Sequence, residues 1–370
     1  MIYFDNAATT PVLPEVKNFL CKALDIYGNP SSVHTLGKFA RSEIETARKT
    51  IANYLKVKPE NIIFNSCATE GNNTIIRTIL NNKDRGNVVL SAIEHKSVKE
   101  AIKFWANKSI EIREIKVNKN GVIDLEHLYH LIDSNTILVC VMYVSNEFGT
   151  IQPIQEIAKI CSDKGVPLLT DAVQAIGKIP IELKNISYAT FSGHKFHAIK
   201  GSGFLYISDE ANYEPLIVGG GQENGKRSGT ENVVGILSLA KALEIIVSNF
   251  SRYQEQLKKL RDLFENLLLE ALPDAQIVGK DAERSPSISS VIMPKFFGAE
   301  IVNKLSEKGI YCSTGSACLS GEYEPNKHML KMGFSQEKAL RMVRFSFGLL
   351  NKEEEVIECI ERIKEIYRLN

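Results

Sequence analysis

The chain is most constrained by a series of short apolar segments that lack polar–apolar alternation and are separated by helical stretches. VVLSAIEH at 88–95, TILVCVMYV at 136–144, LLTD at 168–171, YATFS at 188–192 and GFLYI at 203–207 all read as strands of this kind. Strands buried on both faces read this way, and they belong to parallel sheets whose crossover helices cover both sides. Helical patterns fall between them: Pro14 to about Leu24, up to Leu55, from about Asn72, up to Trp105, from Asp124, and Pro153 to about Cys161. Further strands are expected at 61–64 and 110–117. After GGGQENGKRSGTENV (219–233) the texture changes. One long helical region is expected to about Leu272. A smaller unit follows, with strands at 287–293, 309–313 and 344–348, a helix from about Ala299 and a terminal helix. The expectation is an α/β large domain over residues 14–259 with a mainly parallel sheet. Residues 1–13 and 260–370 would form a small α+β domain. A chain of 370 residues is long enough for both.

Open parallel sheets bind ligands outside the carboxyl ends of their strands. Five polar residues fall at such ends: Thr69, His95, Asn146, Asp171 and Lys195. A lysine shielded at a strand end loses its proton more easily, and the neutral amine attacks a carbonyl to form a Schiff base. Asp171 closes the strand before it. An acid after one strand and Ser192-Gly193-His194-Lys195 after the next suit pyridoxal 5′-phosphate (PLP). There the acid keeps the pyridine nitrogen protonated and the lysine holds the aldehyde. Ser192 and His194 could donate to the phosphate. Ser66-Cys67-Ala68-Thr69-Glu70-Gly71 precedes a helix, so its free backbone N–H groups, with the Thr69 hydroxyl, could hold a phosphate too. Plain N-capping by Thr69 is the alternative. His95 could lie over a planar ring or move a proton, although a lone histidine is more often structural. Cys67 reads as a small packing residue.

Three other stretches bear on the chemistry. Gly220, Gly225 and Lys226 nearly spell a P-loop, but Arg227 stands where a Ser or Thr must bind magnesium. A basic glycine-rich loop touching a phosphate without metal is the more natural reading. Cys318 lies among small residues in STGSACLSG, as suits a nucleophile that visits a cofactor, whereas Cys312 sits within a strand pattern. Arg344, at the start of RFSFG, could fork onto a carboxylate.

Net charge is +1, which gives no reason to expect nucleic acid or an anionic membrane as a partner. The N-terminus is too polar for a signal peptide, and no apolar run reaches the roughly 18 residues of a membrane span. The seven cysteines are scattered and none forms C-x-x-C, so neither a zinc site nor a disulfide framework is expected. A reducing cytoplasm is the simple reading.

Assembled, these pieces resemble the cysteine desulfurases of the NifS/IscS type, within the class V group of fold-type I (aminotransferase-like) PLP enzymes. The similarity runs through DNAATTP, GNPSSVH, CATEGNN, EHKSV, SNEFGTIQPI, TDAVQAIGKIP, FSGHKFH, RSGTEN, STGSAC and RFSFG. The resemblance implies that Lys195 carries the cofactor, Asp171 pairs with the pyridine nitrogen, Gln174 bonds the ring oxygen and His95 stacks on the ring. It implies that Ala68, Thr69, Ser192 and His194 surround the phosphate, joined by Thr230 from the partner of a homodimer. Asn146 and Arg344 would grip the carboxylate of L-cysteine. Cys318 would carry the sulfur as a persulfide, leaving alanine. A sulfur-acceptor or scaffold protein would then take the sulfur for Fe–S assembly or tRNA thiolation. No resident metal is implied, only a transient Fe–S cluster at Cys318. Ile199 stands where the family often has proline, Ser145 where it often has asparagine, and the chain ends soon after its last helix, without the extension that some members use to dock a scaffold.

Overall fold

The computed structural model describes residues 1–81, 83–314 and 324–368. In chain order the strands are β1 (Ile2–Tyr3), β2 (Ile62–Asn65), β3 (Gly86–Ser91), β4 (Ile110–Ile115), β5 (Thr136–Cys140), β6 (Leu168–Asp171), β7 (Tyr188–Ser192), β8 (Gly203–Ile207), β9 (Gln276–Ile277), β10 (Ile288–Ile292), β11 (Ile310–Tyr311) and β12 (Met342–Ser346). The helices are α1 (Pro14–Ala23), α2 (Thr35–Leu55), α3 (Ala68–Leu80), α4 (Lys96–Trp105), α5 (Leu125–Leu131), α6 (Ile154–Asp163), α7 (Val233–Val247), α8 (Phe250–Ala271), α9 (Gly298–Glu307), α10 (Lys327–Lys331), α11 (Gln336–Leu340) and α12 (Glu353–Arg368).

Seven strands form the large sheet in the order β2-β8-β7-β6-β5-β3-β4. Neighbours are parallel except where β8 runs antiparallel to both β2 and β7. Successive side chains on a strand point to opposite faces, and here both faces are covered. Val89, Val139, Leu168, Ala189 and Phe204 join one hydrophobic core. Their neighbours Val88, Leu138, Leu169, Tyr188 and Leu205 join another. That is why these strands read as unbroken apolar runs, and the mainly parallel α/β sheet is as expected.

A smaller antiparallel sheet, β12-β10-β9, lies beside a parallel pairing of β1 with β11. Phe4, Phe264, Val291, Phe345 and Ile363 share its core, so the first residues of the chain pack with its last third. Among the described residues no single helix is long and apolar enough to cross a membrane.

Two expected elements are corrected. The helix after β2 begins at Ala68 rather than near Asn72, because its first turn is tied down from outside. The Ser192 hydroxyl accepts from the Ala68 N–H at 2.8 Å, and the Glu70 carboxylate accepts from the Ser66 N–H at 2.9 Å. The long helix expected to Leu272 is two helices, α7 and α8, bent by 81° at Ser248-Asn249. Serine and asparagine compete with helical backbone bonds, and the two halves have different partners: α7 packs on α2 and α1, α8 on α12. The five-residue helices α10 and α11 and the two-residue β9 were too short for periodicity to find.

Candidate active site

Adjacent parallel strands deliver Asp171 and Lys195 to one place. β6 and β7 pair with Asp171 opposite Thr190, and the chain past Ser192 makes a single tight turn, Gly193–Lys195. The turn requires glycine, since a Cβ at 193 would meet Leu239 Cδ2 at 2.5 Å. Gly203 on β8 serves the opposite wall: a Cβ there would meet Cys67 Cα at 2.8 Å, so its absence lets the start of α3 approach β7. The result is a cavity of about 300 Å³. Thr69, His95, Asn146, Asp171, Gln174, Ser192, His194 and Lys195 all line it, together with Cys67 and Ala68. The five strand-end residues expected to share a site therefore line one cavity. Cys67, read as a packing residue, is the N-cap of α3 and stands on the cavity wall.

The Lys195 ammonium donates to the carbonyls of Ala7 and Ala8, each at 2.8 Å. Burial, reinforced by the nearby Arg344 guanidinium, lowers its pKa from 10.5 to about 8, while Asp171 and Asp5 pull weakly the other way. The Asp171 carboxylate is buried at the end of β6. One oxygen accepts from the Val173 N–H at 3.1 Å, the other from the Asn72 amide at 3.5 Å. Asn72 is itself held by the Thr190 hydroxyl at 2.9 Å. Asp171 is thus positioned with capacity for one more strong donor.

His95 caps α4, its Nδ1 accepting from the Ser97 N–H at 3.1 Å. That bond leaves the proton of the neutral ring on Nε2. The side chain is open to the cavity yet surrounded by protein, and this desolvation lowers its pKa. His194 is lowered to about 4 by burial and by Lys195 beside it, so it is a neutral donor at physiological pH.

The opposite end of the cavity is suited to a phosphate. The first-turn N–H groups of Thr69 and Glu70 lack intrahelical partners, the Thr69 side chain is exposed to the cavity, and Ser192, whose oxygen already accepts from Ala68, keeps its O–H to donate. Asn146 adds a buried Oδ1 with no hydrogen-bond partner. Such an orphaned acceptor is costly unless a ligand satisfies it. A half-buried amine of lowered pKa, a carboxylate poised for a donor, and an anion cradle together fit PLP.

Two expected residues stand apart from this cluster within the protomer. Thr230 lines a separate cavity of about 200 Å³ with Ser66, Glu223 and Arg227. The Arg344 guanidinium is engaged by the Asp5 carboxylate at 2.7 Å and the Asn146 carbonyl at 2.9 Å, and its Nε has no partner. Cys318 lies outside the described residues. Cys312 is buried, and desolvation holds its thiol well above the ordinary range, as befits an inert cysteine. Three side chains of the near-P-loop are engaged within the chain: Glu223 forms a buried pair with Arg48, Arg227 pairs with Glu70, and Lys226 donates to the Glu60 carbonyl.

The sheet, the strand-end cluster and the lysine–aspartate pair define a class. The aminotransferase class-V family matches residues 2–358, and the chain belongs to that PLP-dependent family. Within it the chain is of the NifS/IscS cysteine desulfurase type. It is 38% identical over 370 residues to the cysteine desulfurase of Trichormus azollae, covering 99% of this chain and 92% of that protein. It is 38% identical over 371 residues to the cysteine desulfurase IscS of Methanosarcina thermophila, covering 99% and 91%. A solved structure described as a NifS-like protein superimposes with a TM-score of 0.93 at 38% identity, covering 100% of each chain.

Sequence reading missed the carbonyls of Ala7 and Ala8, which receive Lys195, and Asn72, which orients Asp171. The first are backbone atoms with no side-chain signal. Asn72 was visible only as part of the CATEGNN motif.

Proposed function

We propose that this chain removes sulfur from L-cysteine, with PLP held by Lys195, Asp171, Gln174, His95 and the cradle of Ala68, Thr69, Ser192 and His194. The single observation carrying the reading is the half-buried Lys195 amine, lowered to about 8, sharing one cavity with Asp171. Bound there, the cofactor supplies an electron sink for the charge left when the substrate loses its α-proton. Asp171 keeps that sink effective by holding a proton on the pyridine nitrogen. His95 would lie against the cofactor ring, and the Lys195 amine would move the proton at the substrate Cα. The Asn146 amide, with Arg344 freed from Asp5, orients the substrate carboxylate.

The Cys318 thiolate then attacks the substrate sulfur. The new S–S bond forms as the substrate Cβ–S bond breaks, the carbon side keeps the electron pair and takes up a proton, and alanine leaves. Thr230 would complete the phosphate site of a partner subunit in a homodimer. A sulfur-acceptor or scaffold protein of Fe–S assembly or tRNA thiolation would unload Cys318, and the compartment would be the cytoplasm.

The test is incubation of the PLP-supplied protein with L-cysteine and a thiol reductant. Alanine and sulfide are expected in equal amounts, with a change in a visible band near about 400 nm. Pyruvate in place of alanine, or turnover of selenocysteine alone, would point to a different enzyme of the class V group.

A further inference from the structure

Lys178 is a buried lysine that the chemistry above leaves unused. It lies in the turn after β6, one helical turn beyond Gln174, with 7% of its surface exposed. Its Nζ donates to Gln174 Oε1 at 2.8 Å. Around it stand Ile176, Ile246, Leu257 and Phe347, with no carboxylate among them. The charged groups acting on it are the cations Lys195 and Arg344. The nearby His194 and His197 are both lowered to about 4 by burial and are neutral. A lysine buried among cations with no acid beside it is a poor contributor to stability.

What Lys178 does achieve is orientation. Burial, with Lys195 and Arg344 nearby, lowers the Lys178 pKa to about 7; its ammonium form only donates, and a backbone carbonyl only accepts. Gln174 meets Lys178 through Oε1 and the Ala7 carbonyl through Nε2, at 2.9 Å. The amide is therefore held one way round: a flip would set its oxygen against the Ala7 carbonyl and, while Lys178 is protonated, its N–H groups against the ammonium. Its second N–H is left for the cavity that Gln174 lines.

We propose that Lys178 is a positioning residue that locks the Gln174 amide so that an N–H, never the oxygen, faces the ring oxygen of the bound cofactor. This rests on the PLP reading of the site. A donor on the ring oxygen competes for its negative charge with the protonated Lys195 nitrogen beside it. It therefore lowers the pH at which that nitrogen gives up its proton. Asp171, Asp5 and Arg344 act on the same nitrogen and are unchanged when Lys178 is replaced; the charge of Lys178 itself also couples to Lys195, and the Gln174→Leu background separates that direct effect from the lock.

The experiment is a pH titration of the visible band in the cofactor-loaded wild type, Lys178→Met, Gln174→Leu and the double variant, with thermal melting alongside. Lys178→Met is expected to raise the midpoint by about one pH unit, a tenfold change in proton affinity. The double variant should move no further than Gln174→Leu, and Lys178→Met should melt no lower than wild type. An unmoved midpoint, or a Lys178→Met shift that persists on the Gln174→Leu background, would overturn the proposal. Should Lys178→Met fail to fold, Lys178→Arg gives the decision: a guanidinium only donates, so it should hold the amide and leave the midpoint at the wild-type value, and a midpoint raised as far as that of Gln174→Leu would overturn the proposal. A wild type with no visible band would instead sink the PLP reading.

Discussion

Lys195→Ala is expected to cut alanine production from L-cysteine by at least about a thousandfold while the protein stays folded. The size of the loss follows from two roles falling on one amine. It anchors the cofactor covalently, and it is the group placed to move the α-proton, a service worth about 10²–10⁴-fold on its own. The fold should survive because the N-terminal segment does not depend on this side chain. Thr10 donates to the His194 carbonyl through its N–H at 2.8 Å and its hydroxyl at 3.0 Å, and the His197 N–H donates to the same hydroxyl at 2.7 Å. An unchanged melting temperature with lost turnover is the expected pair of results. The environment also sets a pH dependence: with its pKa at about 8 instead of 10.5, the Lys195 amine becomes nucleophilic as pH rises through 8. Capture of added PLP by the apoprotein should therefore accelerate from pH 7 to 9 and level off above it. Acceleration continuing past pH 10 would show an amine that is not shielded.

Cys318→Ala is expected to separate binding from sulfur transfer completely. The substitution alters none of the described residues that line the cavity. L-Cysteine should still perturb the visible band, yet sulfide and alanine should fall to the level of a blank without enzyme, because no thiolate remains to take the sulfur. Cys67 is the one thiol among the described residues that lines the cavity. Residual turnover in Cys318→Ala that disappears in Cys67→Ala/Cys318→Ala would transfer the role to Cys67.

The architecture was legible where burial is two-sided. Val88-Val89-Leu90 and Tyr188 to Ser192 read as parallel strands because each face of the sheet has its own core. Their ends were legible too, since an apolar run that stops at Asp171 or Ser192 announces where the sheet stops. What escaped depended on contacts between distant parts of the chain. The start of α3 is set by Ser192, 124 residues away. Arg344 is held by Asp5 across 339 residues, so its pairing could not be read from RFSFG alone. The break between α7 and α8 is marked locally only by Ser248-Asn249, and it is the differing partners of the two helices that make it a sharp bend. The resemblance to NifS/IscS enzymes bridged part of this gap, because its motifs carry long-range arrangements that composition and periodicity do not.

The central claim is that the amine at position 195 is covalently joined to the PLP aldehyde. Borohydride reduction of the loaded protein, followed by proteolysis and mass mapping, tests it directly. A single pyridoxyl label on the peptide containing Ser192-Gly193-His194-Lys195 is the predicted result. A label on Lys178 or any other lysine, or no label in protein that retains its yellow colour, would contradict it.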